Sequence, residues 1–208
     1  MNEYLIDLFQ ALKKVDKEFY VTKALLDPTV KLDGATKRET FIQLTERQFA
    51  AELYHKWRET IESSKNDYSN LKIGFEVSKK FIQNQLVEDK SSFIPDLVLH
   101  QSQVNFDPDF QKIYLEIKTT PSQNAKRIKH DLNKILFAMK QYGFQNGIFI
   151  SINSDYKRLL KLIKNYIIQI EKRNLHFEDC WSNFYLFHSD ENGVSLYNNF
   201  EGLRIYKK

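Results

Sequence analysis

Two short apolar segments near the middle of the chain contain charged residues. One segment covers residues 94–99, with the sequence IPDLVL, and the other covers residues 114–118, with the sequence YLEIK. Both are predicted to be strands, in which side chains alternate between two faces, so Glu116 and Lys118 share one face. Because Asp, Glu and Lys are seldom buried unless they are paired or hold a metal, their position needs a chemical reason. Two carboxylates supply hard oxygen ligands suited to magnesium, and a nearby ammonium can stabilise an anionic nucleophile or a phosphate.

These segments resemble the signature of the PD-(D/E)xK nuclease superfamily, which includes restriction endonucleases, repair nucleases and related phosphodiesterases. The PD dipeptide at residues 95–96 is similar to its first element, and EIK at residues 116–118 is similar to its second. Each element lies in a hydrophobic run of strand length, as the family requires. A second PD dipeptide, at residues 108–109, lies among turn-forming residues without a following apolar run, so it is predicted to be the turn between the strands.

The resemblance implies a reaction and a set of roles, namely magnesium-dependent hydrolysis of a phosphodiester in DNA, with Mn²⁺ as a substitute for Mg²⁺. Asp96 and Glu116 would bind the metal, and the backbone carbonyl of Ile117 would be a further ligand. Lys118 would orient or help to deprotonate the attacking water, or stabilise charge on the phosphate. The number of metal ions, one or two, stays open.

A third acid, Glu46, is expected to join these carboxylates. In the helix predicted over residues 45–63, apolar side chains recur at about 100° per residue, and Glu46 lies near the centre of that face while Glu52 lies at its flank. The superfamily often brings a glutamate to its metal site from the helix before the core sheet. A second interpretation stays open, with Glu46 in the first helical turn beside an N-cap Thr45. Glu76, in the next predicted strand, is assigned to a solvated face.

Basic residues gather at the start of the helix predicted over residues 125–142. Lys126, Arg127 and Lys129 lie in its first turns and are candidates to hold phosphates, either through their side chains or beside free backbone N–H groups. A solvated helix face is an equally weighted interpretation of these three residues. Lys134 is predicted to point away from the apolar stripe of this helix, into solvent.

Two threonines follow the candidate catalytic lysine directly in the sequence. Thr119 and Thr120 are candidates for phosphate contacts, and the alternative is that they only end the strand. Together with Lys126, Arg127 and Lys129, they form the predicted nucleic-acid-binding set.

Length and composition predict one α/β domain over residues 1–208. The chain is long enough for a substantial core, and its 42% hydrophobic and 14% aromatic residues exclude a disordered protein. The predicted order from residue 45 to residue 152 is helix, three strands, helix, strand, which matches the restriction-endonuclease-like core. Residues 1–44 are predicted to be an N-terminal helical extension. Residues 153–208 are predicted to be a C-terminal helix followed by a β extension.

The individual elements follow from hydrophobic periodicity and from turn residues. Helices are predicted from residue 3 to about residue 26, over residues 45–63 and 125–142, and from residue 155 to about residue 172. Gly143 is expected to close the third of these helices. Strands are predicted over residues 71–77, 93–100, 112–119, 147–152, 184–188, 193–197 and 203–206.

Charge and segment composition predict the compartment and the partners. No run of about 18 apolar residues and no signal peptide is recognised, and the single Cys180 suits a reducing compartment, so the chain is expected in the cytoplasm and not in a membrane. A net charge of +4 and a pI near 8.9 are compatible with DNA as partner. A homodimer would match two sites to the two antiparallel strands of a duplex.

The predicted function is therefore a magnesium-dependent DNA nuclease, with restriction, phage defence and DNA repair as candidate settings. Two alternatives stay open. One is a catalytically inactive module that keeps the nuclease fold for nucleic-acid binding or assembly. The other is a nuclease that acts on RNA or on branched DNA, because the site chemistry requires only a phosphodiester.

Overall fold

The computed structural model describes residues 2–19, 38–75, 94–101, 107–119, 125–171, 178–190, 193–198 and 204–206, and the account below concerns these residues. They form a mixed α/β fold in which helices cover both faces of one sheet. The helices are α1 (Glu3–Lys14), α2 (Arg38–Ser63), α3 (Ala125–Tyr142), α4 (Tyr156–Glu171) and the single turn α5 (Glu178–Trp181). None of these described helices is long and apolar enough to cross a membrane.

The described residues form a sheet of seven strands, whose order in space is their order in the chain. The strands are β1 (Lys72–Phe75), β2 (Leu97–His100), β3 (Gln111–Lys118), β4 (Asn146–Ile152), β5 (Phe184–Asp190), β6 (Gly193–Asn198) and β7 (Arg204–Tyr206). The first three strands pair antiparallel, β3, β4 and β5 pair parallel, and the last three pair antiparallel. A parallel pair needs a crossover connection, and α3 supplies the connection between β3 and β4.

Two hydrophobic layers cover the two faces of the sheet. On one face α1 and α2 pack against Leu115 and Ile117 of β3. On the other face α3 and α4 pack against Tyr114 of β3 and Phe149 of β4. Because side chains alternate along a strand, Glu116 and Lys118 lie on the same face as Tyr114 and project toward α3.

A glycine on β4 lets α3 lie close to the sheet. A Cβ atom at Gly147 would overlap Ile135 Cγ2 and Met139 Sδ of α3. Side chains on the sheet-facing side of α3 are therefore held near β3 and β4, within reach of the charged residues of β3.

Several predicted boundaries agree with the structure. Helix α3 has the predicted bounds, and Gly143 ends it with a φ of +70°, a conformation that glycine adopts without strain. Helix α4 begins after Asp155, whose carboxylate accepts hydrogen bonds from the backbone N–H groups of Lys157 and Arg158 at 3.0 and 3.1 Å. The second PD dipeptide forms a 3-10 turn, Pro108–Phe110, before β3.

Three predicted boundaries are wrong by several residues. Helix α1 ends at Lys14 and does not continue toward residue 26, because Val15 adopts an extended conformation that turns its side chain into the core. Helix α2 begins at Arg38, so Thr45 lies inside the helix and is not an N-cap. Strand β2 begins at Leu97, so Asp96 precedes the strand; Pro95 has no N–H with which to extend the ladder.

Candidate active site

A cluster of charged side chains lies on the α3 side of β3, near the carboxyl end of that strand. Four different parts of the chain supply it: α2, the segment before β2, β3 and α3. We call it the charged cluster; it contains the carboxylates of Glu46, Asp96, Glu116 and Asp131 and the ammonium groups of Lys118 and Lys134.

Asp96 is fixed by the backbone of the neighbouring strand. Its Oδ2 accepts a hydrogen bond from the Ile117 N–H at 2.6 Å. Because Leu97 pairs with Leu115 in the antiparallel register, Asp96 lies opposite Glu116. Burial raises the pKa of Asp96, while the charge of Lys118 and the Ile117 hydrogen bond oppose this shift. The two candidate metal ligands are thus brought together by strand register.

Glu116 is almost completely buried, with 1% of its surface exposed. Its Oε1 accepts a hydrogen bond from the Tyr114 hydroxyl at 3.1 Å and lies 2.5 Å from Lys134 Nζ. Burial raises the pKa of Glu116 well above its usual value, the negative charge of Asp96 raises it further, and Lys134 acts in the opposite direction. Burial and Asp96 therefore disfavour the ionised form of this carboxylate, and the Lys134 ammonium offsets them in part.

Lys118 lies between two carboxylates. Its Nζ is 3.5 Å from Glu46 Oε2 and 3.5 Å from Asp131 Oδ2. Burial alone would lower the pKa of Lys118, but Asp131, Glu46 and Asp96 outweigh this effect and raise the pKa above its ordinary value. Lys118 is thus an ammonium at neutral pH, the form that donates hydrogen bonds and stabilises negative charge.

Glu46 reaches the cluster from the helix on the opposite face of the sheet. Its Oε1 accepts a hydrogen bond from the Thr119 N–H at 3.4 Å, just beyond the end of β3. Burial raises the pKa of Glu46, and the charge of Lys118 lowers it. Glu52, in contrast, pairs with Lys56 of its own helix at 3.4 Å. Since α2 begins at Arg38, the interpretation of Glu46 as a first-turn residue of the helix is wrong.

Sequence reasoning missed two members of the cluster, and both come from α3. Asp131 was not recognised, although it lies three residues after Ile128 and four before Ile135, within the apolar stripe. The prediction that Lys134 is solvated is wrong, because its residue is 9% exposed and its ammonium pairs with Glu116. A lysine at the flank of a helix stripe can extend its aliphatic stem across apolar surface and place its charge elsewhere.

The predicted nucleic-acid-binding residues that the structure describes are partly exposed and partly buried, and none of them belongs to the charged cluster. Lys126 and Arg127 are exposed in the first turn of α3, whereas Lys129 donates a hydrogen bond to Gln169 of α4 at 2.8 Å. Thr119 is fully buried, and its Oγ1 has no hydrogen-bond partner among the described residues. Thr120 lies outside the described residues, as does Glu76.

A surface cleft of about 440 Å³ lies beside the first turns of α3. It is lined by Lys126 and Lys129 together with Ala125, His130 and Asn133. The cleft therefore exposes basic side chains at the helix start, while Asp131 and Lys134 of the same helix are buried.

The charged cluster suits a hard divalent cation in charge and in donor type. It contains more carboxylates than ammonium groups, and burial raises the pKa of three of the carboxylates. Within the part of the chain that the structure describes, no three His, Cys, Asp or Glu side chains are grouped closely enough to hold a metal ion. Two protein carboxylates are still a usual set for magnesium, which keeps several waters and takes further oxygens from substrate phosphates. Asp96 and Glu116 fit that set.

Comparison with known proteins gives no relative for this chain: no family model, no curated protein and no solved structure matches it.

Proposed function

We propose that this chain is a magnesium-dependent phosphodiesterase of the PD-(D/E)xK type that hydrolyses DNA. The observation that carries the proposal is the convergence of Asp96, Glu116 and Lys118 in one buried cluster with an excess of carboxylates. The order of α2, three strands, α3 and β4 agrees with the core order expected from the resemblance and supports the same proposal.

Asp96 and Glu116 would hold the ion, with the carbonyl of Ile117 as a third protein oxygen. A bound magnesium ion would lower the pKa of its water and neutralise charge on the phosphate. The hydrogen bond from the Ile117 N–H to Asp96 Oδ2 fixes one carboxylate before any ion arrives. Such preorganisation reduces the reorganisation that binding requires.

Lys118 would act as a fixed ammonium and not as a proton acceptor. Glu46 and Asp131 flank its Nζ at equal distances and keep it protonated, so it can donate hydrogen bonds to the phosphate or to the attacking water. Glu46 and Asp131 are positioning residues in this scheme, because they act through Lys118.

A binding or assembly module with the same fold is the main rival. The burial of so many charges argues against it, since buried ion pairs often destabilise a fold relative to apolar side chains of similar size. A module that catalyses no reaction would gain nothing from the destabilisation that these buried charges cause. The charged cluster is therefore better explained by a site that recruits a cation and a phosphate.

The direct test is a cleavage panel in magnesium, with linear duplex, single-stranded, nicked and branched DNA and with RNA. We expect cleavage of at least one DNA substrate, its loss in EDTA, and its loss in Lys118→Ala. Glu52→Gln is the matched control, because Glu52 pairs only within α2 among the described contacts. Cleavage of RNA and of none of the DNA substrates would show that the substrate is RNA and not DNA. An absence of cleavage and of magnesium binding would favour the binding module.

A further inference from the structure

Lys134 makes the shortest ion pair in the charged cluster, to the carboxylate proposed as a metal ligand. Its Nζ lies 2.5 Å from Glu116 Oε1, and both side chains are largely buried. The same oxygen accepts the Tyr114 hydroxyl hydrogen bond. Glu116 Oε1 is thus held by a cationic donor from α3 and a neutral donor from its own strand.

The two lysines of the cluster have different partners. The ion pairs of Lys118 are with Glu46 and Asp131, and not with Asp96 or Glu116. Lys134 pairs with Glu116 itself. A divalent cation at this carboxylate would stand within a few ångströms of the Lys134 ammonium, where like charges repel strongly because the site is shielded from water.

We propose that Lys134 is the internal counter-ion of Glu116 and that it competes with the divalent cation for this carboxylate. The inference rests on the proposed function, since it assumes that Glu116 is a metal ligand. Lys134 is then a positioning residue that sets the affinity for the cation. Cation binding displaces the ammonium from Glu116, and the affinity is lower than two buried carboxylates alone would give.

The experiment is a calcium titration of the full chain by calorimetry, paired with thermal unfolding in EDTA and in saturating calcium. Lys134→Gln keeps a hydrogen-bond donor for Glu116 but removes the charge, and Lys134→Met removes both. We expect either variant to bind calcium roughly tenfold more tightly or better, because a competing positive charge is gone. Lys134→Arg keeps the positive charge and should therefore retain the wild-type affinity for calcium. Lys140→Met, at an exposed position of the same helix, is the matched control.

The unfolding curves separate competition from packing. In EDTA the Lys134→Gln variant should unfold at a lower temperature than the wild type, because Glu116 has lost its counter-ion, and saturating calcium should remove most of this deficit. An equal deficit with and without calcium would mean that Lys134 only packs, and it would overturn the competition.

The outcomes also distinguish this inference from the proposed function. If the wild type binds calcium and Lys134→Gln binds it no more tightly, only the competition is wrong. If neither protein binds calcium, the metal site and the competition are both wrong. Adding Glu116→Gln to Lys134→Gln should abolish the gain in affinity; a gain that persists would place the cation away from Glu116 and overturn the competition.

Discussion

Two carboxylate sites in this protein are built in opposite ways. On α1, Asp7 Oδ2 accepts three hydrogen bonds, from Ser64 Oγ at 2.7 Å, from Asn66 Nδ2 at 2.8 Å and from the Tyr68 hydroxyl at 2.8 Å. All three donors are neutral, and all lie between α2 and β1. Burial and the neighbouring Asp7 raise the pKa of Tyr68, so the phenol stays a donor. The hydrogen bonds of the Asp7 carboxylate thus connect α1 to the loop before β1.

The charged cluster reverses this arrangement. Its carboxylates face one another across α2, β3 and α3, and the four carboxylates of the cluster outnumber its two ammonium groups. A carboxylate with enough donors stabilises a fold, whereas carboxylates crowded together in a buried place repel each other until a cation joins them. This difference is the physical reason to assign a structural role to the Asp7 site and to propose a catalytic role for the charged cluster.

The largest expected effect is on catalysis in the charged cluster. Asp96→Asn keeps an acceptor for the Ile117 N–H but removes the charge, so cleavage in magnesium should fall by about 100-fold or more, the scale of losing a metal ligand or a transition-state contact. The free energy of unfolding should stay unchanged or rise, because the repulsion between Asp96 and Glu116 is relieved. Steady-state cleavage and urea unfolding measure the two quantities. Wild-type cleavage in this variant would show that the site is misassigned.

The Asp7 network should respond in the opposite sense. Asp7→Ala removes the acceptor of three hydrogen bonds and should lower the free energy of unfolding by about 2 to 4 kcal/mol, since bonds to a charged group contribute about 1.5 to 3 kcal/mol each and do not add fully. Cleavage below the unfolding transition should be unchanged. Asp109→Ala, at an exposed carboxylate, serves as control in the same urea titration. A large loss of cleavage in the fully folded Asp7→Ala variant would contradict the assignment of a purely structural role to Asp7.

The sequence predicted the parts of the fold and of the site that depend on local pattern. Helix α3 was predicted with its bounds because its apolar spacing is regular and Gly143 ends it. The shared face of Glu116 and Lys118 followed from strand alternation alone. The predicted end of α1 and the predicted start of α2 are wrong because neither has a clear cap signal in the sequence, and the core contacts of Val15 decide the end of α1.

Contacts between distant elements were harder to predict. Asp131 and Lys134 belong to the charged cluster because Gly147 lets α3 approach the sheet, and this approach is a tertiary effect. Helical phase alone predicts that Lys134 lies in solvent. This prediction fails because the flexible stem of a lysine can carry its charge far from the position of its Cα atom. The buried Asp131 within an apolar stripe was the one local signal available, since an acid in such a stripe needs a partner.

A smaller effect is expected for the residue that bridges the two faces of the sheet. Glu46→Gln should lower magnesium-supported cleavage by about tenfold, because Lys118 loses one of its two flanking carboxylates, while Glu52→Gln should leave cleavage unchanged. The loss should appear in kcat more than in KM if Glu46 positions Lys118 for the transition state. The reverse ranking of the two glutamates would mean that α2 docks differently against β3.

The smallest expected effect lies outside the cluster, on the exposed cations of α3. Lys126→Gln combined with Arg127→Gln should weaken DNA binding for all sequences alike and reduce the slope of log affinity against log salt by about one unit for each lost phosphate contact. Binding is measured in calcium, so that cleavage does not interfere. Lys129→Gln should act on stability instead, because this lysine joins Gln169 of α4.

The control for the exposed cations is Lys140→Gln, at the far end of the same helix and also exposed. This substitution removes one positive charge from the protein without touching the helix start, so it separates a local phosphate contact from a general loss of positive charge. Cleavage at saturating DNA should survive in the double variant, because its side chains lie outside the charged cluster. Equal salt slopes for the wild type, the double variant and the control would show that DNA approaches the cluster from another side. Lys126 and Arg127 would then belong to a solvated helix face.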